Sequence, residues 1–295
     1  MIMSISDWRK TFSKAGMVQK LIVLNLLVFL GLNAIIATLR LSGHDAFLEE
    51  HGNDLYLGAI ASPSALLLRP WSILTYMFAH IEFWHIVGNM LFLWVFGGLF
   101  TSFLGERKLL SLYLVGGLSG LGLFIVVFNV FPALNDSAKV VGASAAIMAI
   151  VVAISTYMPG YRLNLLLFGP IQLQYIALFY VIYDFASIRY LENTGGHIGH
   201  LGGALYGFIW GMQIRKGKDI SVWMDWVIGR LASIFRLGGS RMKVVHKRPV
   251  SDEDYNASKT ARQNRIDNIL DKISKGGYES LSKDEKDFLV KYSKE

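Results

Sequence analysis

Six apolar runs, at about 21–39, 83–104, 109–131, 140–158, 163–184 and 198–214, dominate this chain of 295 residues. A helix needs roughly 20 apolar residues to cross the hydrocarbon core of a bilayer. Inside lipid only helices and closed barrels satisfy their own backbone groups. The runs therefore predict an all-α, polytopic membrane protein built as a six-span helical bundle. With 53% hydrophobic residues, an ordinary soluble domain is excluded. Cysteine is absent, which removes thiolate nucleophiles, disulfides and cysteine metal ligands.

The first run follows Arg9, Lys10 and Lys14 and is too long for the core of a cleaved signal peptide, so it is expected to remain as a span. Lysine and arginine in short flanks set orientation. Lys20, Arg107, Lys108, Arg162, Arg215, Lys216 and Lys218 fall on one side; Asp45, Glu49, Glu50, Asp54, Asp136 and Glu192 crowd the other. Both termini are expected in the cytoplasm, and residues 40–82, too long for a turn, are expected outside as an element lying partly in the outer leaflet.

Four segments follow from this pattern: a cytoplasmic N-terminal stretch at 1–20, the six-span domain at 21–214, an interfacial helix and basic linker at 215–260, and a small cytoplasmic helical domain at 261–295. The interfacial helix is read from Trp223 and Trp226 among aliphatics interrupted by Asp225 and Arg230. The linker's charges suit anionic headgroups. In the tail, Ile266, Ile269, Leu270 and Ile273 recur at helical spacing, Gly276 and Gly277 stop that helix, and "SKDE" from Ser282 to Glu285 has the form of a capping box.

Ionisable groups at membrane depth are expensive and therefore candidates for function. Here they are His85, His197, His200 and Asp184, with His80 at a span mouth and the polar Asn89 and Ser144 beside them. With the N-terminus inside, the second, fourth and sixth runs all descend from the outer face. His85 and Asn89 open the second, Ser144 the fourth and His200 the sixth, at similar depth. His85 and Asn89, four apart, share a helix face. Ala145, Ala149 and Ala153 form a small-residue stripe beside Ser144, and Gly199, Gly203, Gly207 and Gly211 form another beside His200. Small residues at this spacing let membrane helices approach closely, so packing of the two stripes would bring Ser144 and His200 together.

A serine becomes a nucleophile when an adjacent base takes its proton, and His200 is the nearby group able to do so near neutral pH. No carboxylate stands in sequence where it would orient His200, so the expectation is a dyad, with Asp184 near water at the outer end of its span and without chemistry. His85, Asn89 and the backbone N–H of Ser144 are candidate donors to an oxyanion, and Gly142 permits close chain approach before the serine. His197 and His80 are read as structural. The glycine-rich "GGLSGLG" at 116–122 is read as helix packing. A zinc protease is disfavoured: His80 and His85 diverge by about 140° around a helix, and His197 and His200 have no evident third ligand. A transporter would show paired repeats and broken helices, which are not found.

These residues resemble the rhomboid intramembrane serine proteases. That family's pattern of a histidine, H-x-x-x-N, G-x-S-G and A-H-x-x-G-x-x-x-G is matched by "HIEFWHIVGN", "GASA" and "GHLGGALYG". The resemblance covers roughly residues 21–214. It implies hydrolysis of transmembrane protein substrates near the outer face with Ser144 as nucleophile, His200 as general base, and His85 with Asn89 at the oxyanion. It also implies a gate at the fifth span. Two positions depart from the pattern: Ala145 replaces a glycine, and Met148 replaces an aromatic that packs on the histidine, a role a thioether can fill. The tail resembles a small C-terminal appendage of some bacterial rhomboids, which points to a bacterial inner membrane. Partners are then the bilayer and its proteins, with no cofactor, metal or nucleic acid. The alternative is a catalytically inactive relative that binds transmembrane clients.

Overall fold

A computed structural model describes residues 15–52, 54–131, 133–134, 138–165, 169–190, 192–235 and 252–292. Most of the expected N-terminal segment and the expected basic linker at 241–249 lie outside the described residues. Two compact units are present, Met1–Arg236 and Leu237–Glu295.

The first unit opens with α1 (Met17–Leu41), whose buried residues include Val18, Leu21, Asn25 and Leu32. The long loop that follows is ordered by short helices α2 (Asp45–His51), α3 (Pro63–Leu68) and α4 (Ser72–Thr75). Its strand β1 (Ala59–Ile60) pairs antiparallel with β2 (Lys139–Val140), in the register Ala59 to Val140 and Ile60 to Lys139. Asp54, only 5% exposed, anchors the pairing: one oxygen meets Lys139 Nζ at 3.0 Å and the other accepts from the Gly58 N–H at 2.9 Å. The loop is thus tied to the chain just ahead of Ser144.

Three long helices form the frame with α1: α5 (Phe83–Leu104), α6 (Glu106–Val130) and α9 (Thr194–Arg215). A π-helical turn at Leu93–Gly97 widens α5, and Gly97 there packs on Val18 of α1. Between them run α7 (Ser144–Tyr157) and α8 (Leu173–Ser187). In α7 every residue from Ala145 to Ser155 is buried, so it is the central helix. At 14 residues it is about 21 Å long, short of the roughly 30 Å core, which it can be because neighbours rather than lipid surround it.

Among the described residues, three helices are long and apolar enough to cross a membrane: Met17–Leu41, Phe83–Leu104 and Glu106–Val130. The chain is an all-α membrane protein, but the other three expected spans lack that signature. The run at 163–184 is not one helix. Its first part is a hairpin of β3 (Arg162–Leu165) and β4 (Gly169–Gln172), paired Arg162 to Gln172 through Leu165 to Gly169, and the helix starts at Leu173. Pro159, Gly160, Gly169 and Pro170 interrupt the apolar pattern and favour a turn over a helix. In α9 the hydropathy is diluted by the glycines and histidines that pack inward.

Helix packing explains the small residues one by one. A Cβ on Gly203 would lie 2.0 Å from Ala145 O, one on Gly207 2.3 Å from Ala149 O, and one on Gly211 2.8 Å from Ala153 O. The partners advance together by four, so α7 and α9 run parallel, in contact along their length. Gly116 meets Ala149 and Gly120 meets Ala145 in the reverse order, so α6 runs antiparallel to α7. The glycines at 116–122 serve this crossing. Beyond α9, Trp210 Nε1 donates to Asp219 Oδ1 and Ser221 Oγ, each at 3.1 Å, and turns the chain into α10 (Val222–Phe235). Trp223 and Trp226 are exposed, while Asp225 turns inward and accepts from the Ser111 hydroxyl of α6.

The second unit contains α11 (Asp252–Gly276) and α12 (Lys283–Tyr292). Its first helix begins well before the expected boundary at 261. Gly277, at φ +74°, ends it. The capping box forms as read: Glu285 N–H donates to Ser282 Oγ at 3.3 Å, and Ser282 N–H donates to Glu285 Oε2 at 2.9 Å.

Candidate active site

Ser144 is the first residue of α7, and the backbone that delivers it is constrained on both sides. Gly142 has φ +117°, a region that favours glycine, and its N–H donates to Tyr76 O at 2.8 Å. A Cβ there would lie 2.7 Å from His85 Cε1 and 3.8 Å from Asn89 Nδ2. Glycine at this position is what lets the serine segment lie against both.

His80 does more than the sequence suggested. It is fully buried, and with Nδ1–H facing Phe78 O at 3.3 Å, its Nε2 accepts from Asn89 Nδ2 at 3.0 Å and from the Ala143 N–H at 3.3 Å. One imidazole therefore fixes both the Asn89 amide and the peptide just before Ser144. The His80 and His85 rings pack edge to face at 5.1 Å.

His200 stands in the second turn of α9, and α8 returns to it through a 3₁₀ turn at Ile188–Tyr190 and Asn193 in the left-handed region at φ 49°. This turn corrects the expected dyad. Asp184 is 3% exposed rather than solvated, and its Oδ1 lies 2.9 Å from His200 Nδ1 and 2.8 Å from His197 Nδ1. For one carboxylate to accept both bonds, each ring carries its proton on Nδ1, which leaves His200 Nε2 as a lone-pair acceptor. His197, read as structural, is a full member of this cluster. The ligand atoms of Asp184, His197 and His200 also lie within 4.8 Å of one another, so Asp184 stands where a third ligand to a metal held by the two histidines could be, which the sequence did not reveal.

Ser144, Met148, His85, Asn89, His197 and His200 line one cavity of about 320 Å³. Ser144 and His200 also share a smaller recess with Ala145 and Gly199. The methyl of Ala145, the departure from the family pattern, sits opposite Gly120 and 4.0 Å from a Cβ at Gly199, so glycines on α6 and α9 make room for it. Trp84 and Phe92 of α5 and Tyr180 and Tyr183 of α8 wall the large cavity, and the Phe92 and Tyr180 rings meet edge to face at 5.1 Å across the seam.

A family model described as Rhomboid domain matches residues 68–217, half of the chain. The chain belongs to the rhomboid family. Rhomboid relatives include Rhomboid protein 1, mitochondrial, of Saccharomyces cerevisiae, 30% identical over 151 residues that cover 50% of this chain and 43% of that protein. RHOMBOID-like protein 12, mitochondrial, of Arabidopsis thaliana is 30% identical over 162 residues, covering 51% and 48%. Presenilin-associated rhomboid-like protein A, mitochondrial, of Danio rerio is 33% identical over 150 residues, covering 50% and 37%. The chain thus spans less than half the length of each of these relatives. Their mitochondrial names fit poorly with the expected bacterial inner membrane; what stands is a membrane location. A second family model, a family of unknown function (DUF6576), matches residues 251–295.

Proposed function

We propose that this rhomboid is an intramembrane serine endopeptidase that cleaves transmembrane segments of membrane-anchored proteins. The observation that carries the proposal is the parallel packing of α7 on α9, which seats Ser144 and His200 in one cavity with Asp184 behind the histidine. In this reading His200 Nε2 takes the Ser144 proton as the hydroxyl attacks the substrate carbonyl, and returns it to the leaving amine. Asp184 is a positioning residue: it holds His200 Nδ1–H and so keeps Nε2 free. His85, the second N–H of the Asn89 amide and the Ser144 backbone N–H stabilise the tetrahedral oxyanion. Water then hydrolyses the acyl-enzyme.

A substrate helix has its backbone groups already bonded, so it must unwind locally before a carbonyl reaches Ser144. The seam between α5 and α8, bridged by Phe92 and Tyr180, is the proposed entry, consistent with the gate expected at the fifth span. The reading retains six membrane-embedded helices, with both termini on the lysine- and arginine-rich side. The shorter α7 and α8 and the glycine-rich α9 are held at membrane depth by their neighbours.

The test is reconstitution of the full chain with a model transmembrane substrate, comparing wild type with Ser144→Ala and His200→Ala. Cleavage by wild type and its loss in both variants supports the proposal. Retention of the substrate without cleavage by any of the three would favour the inactive client-binding alternative. Cleavage surviving in either variant would remove the assigned roles.

A further inference from the structure

The proteolytic reading uses His200 and Asp184 and leaves His197 without a task. Its Nδ1 nevertheless points at the same carboxylate oxygen as His200 Nδ1, at 2.8 Å against 2.9 Å. The two histidines are one turn apart on α9, the aspartate comes from α8, and the cluster faces the cavity that holds Ser144. Two imidazole nitrogens and one carboxylate oxygen converging on a point are the donor set of an open, three-ligand zinc site, whose fourth position holds water. Zinc bonds of about 2.0–2.2 Å in tetrahedral geometry need ligand atoms about 3.3 Å apart. The two nitrogen–oxygen pairs, at 2.8 and 2.9 Å, would open by roughly half an ångström, all three ligand atoms already lie within 4.8 Å of one another, and the 320 Å³ cavity leaves space for the fourth ligand.

We propose that Asp184, His197 and His200 form a binding site for a divalent transition metal, with zinc the metal it fits best, and that filling it switches the protease off. The switch, though not the site, rests on the serine protease reading. A neutral imidazole carries one proton. When Nδ1 gives its lone pair to the metal, that proton moves to Nε2, the nitrogen that would accept from Ser144. The base is consumed with no proton released and no change of oxidation state. Bound zinc also takes the Asp184 oxygen that holds His200 in place. His80 and His85 do not compete for the ion as a pair, since His80 Nε2 already accepts from Asn89 and Ala143.

Zinc chloride is titrated calorimetrically into the full chain carrying Ser144→Ala, which keeps all three ligands and cannot turn over. One zinc per chain is expected, with affinity reduced at least about tenfold by His197→Ala and by the milder His197→Gln. Zinc absorption spectroscopy on the unsubstituted chain, which needs no variant, should show imidazole scattering from two histidines. In wild type, micromolar zinc should stop cleavage of the transmembrane substrate and EDTA restore it, and His197→Gln should raise the half-inhibitory concentration at least about tenfold. No binding, or binding indifferent to His197, overturns the site. Binding without inhibition in a chain that cleaves overturns the switch. If wild type cleaves nothing, the protease reading fails while the titration and spectroscopy still decide the site.

Discussion

Asp184 Oδ1 lies 2.9 Å from His200 Nδ1, 16 positions on in the chain and across the tight turn between α8 and α9. In the proposed protease this contact adds a third member to the serine and histidine pair and leaves His200 Nε2 as the base. We expect Asp184→Asn to lower kcat with little change in KM, because an asparagine NH₂ facing His200 cannot accept the Nδ1–H bond and favours the tautomer with its proton on Nε2, the nitrogen that must act as base. In serine triads loss of that carboxylate lowers kcat by roughly 10⁴. Where two histidines share the group, a fall of at least about tenfold is expected. A merely structural role would lower the unfolding temperature and leave kcat per folded molecule intact.

The glycine stripe on α9 predicts unequal outcomes for one substitution. Gly203→Ala places a methyl 2.0 Å from Ala145 O, and overpacking of this kind costs about 1–3 kcal/mol. Gly199→Ala meets only Ala145 Cβ at 4.0 Å, an ordinary contact, and gains the helix preference of alanine over glycine, about 0.5–1 kcal/mol. Thermal unfolding in detergent should place the first variant below wild type and the second at or above it. Equal shifts would mean that the helices relax apart.

Gly142→Ala tests the approach of the serine segment to His85. The added Cβ would lie 2.7 Å from His85 Cε1 on backbone at φ +117°. Strain of this type costs about 1–3 kcal/mol, and displacing a reacting group by about 1 Å costs near 100-fold in rate. We expect kcat to fall by that order while substrate still binds, measured as separate kcat and KM values. An unaffected kcat would remove His85 from the oxyanion.

In the second unit, Glu285 receives the Lys272 ammonium at 2.6 Å and the Ser282 N–H at 2.9 Å, and these bonds hold its carboxyl at about 2, below the ordinary 4.5. A carboxyl depressed in the folded state contributes stability above its unfolded value and loses it as pH falls through the folded one. The start of α12 should therefore loosen between about pH 4.5 and about pH 2. Amide NMR shifts of residues 282–290 would follow the loss. Glu285→Gln, which keeps the cap and drops the charge, should flatten that dependence.

The three long apolar helices, Met17–Leu41, Phe83–Leu104 and Glu106–Val130, were legible in the sequence because lipid imposes a length and a composition on each helix. The stripes at 145, 149, 153 and 203, 207, 211 were legible as well, since a period of four marks one helix face, and they predicted the parallel pairing that the structure contains. The hairpin and helix within 163–184 are read from sequence as a single span because apolar strand residues and apolar helix residues give the same hydropathy.

Chain order and spacing by themselves predicted that Ser144, His85, Asn89 and His200 gather at one side, and the four line one cavity. Only the tertiary structure decided what stands behind His200. Asp184 is 3% exposed because the Ile188–Tyr190 turn and left-handed Asn193 fold α8 back onto α9. Likewise His80, in the segment between α4 and α5, is brought to the Ala143 N–H just ahead of α7. Such contacts depend on how a turn aims one helix at another, and hydrophobic periodicity describes only the face that a helix buries.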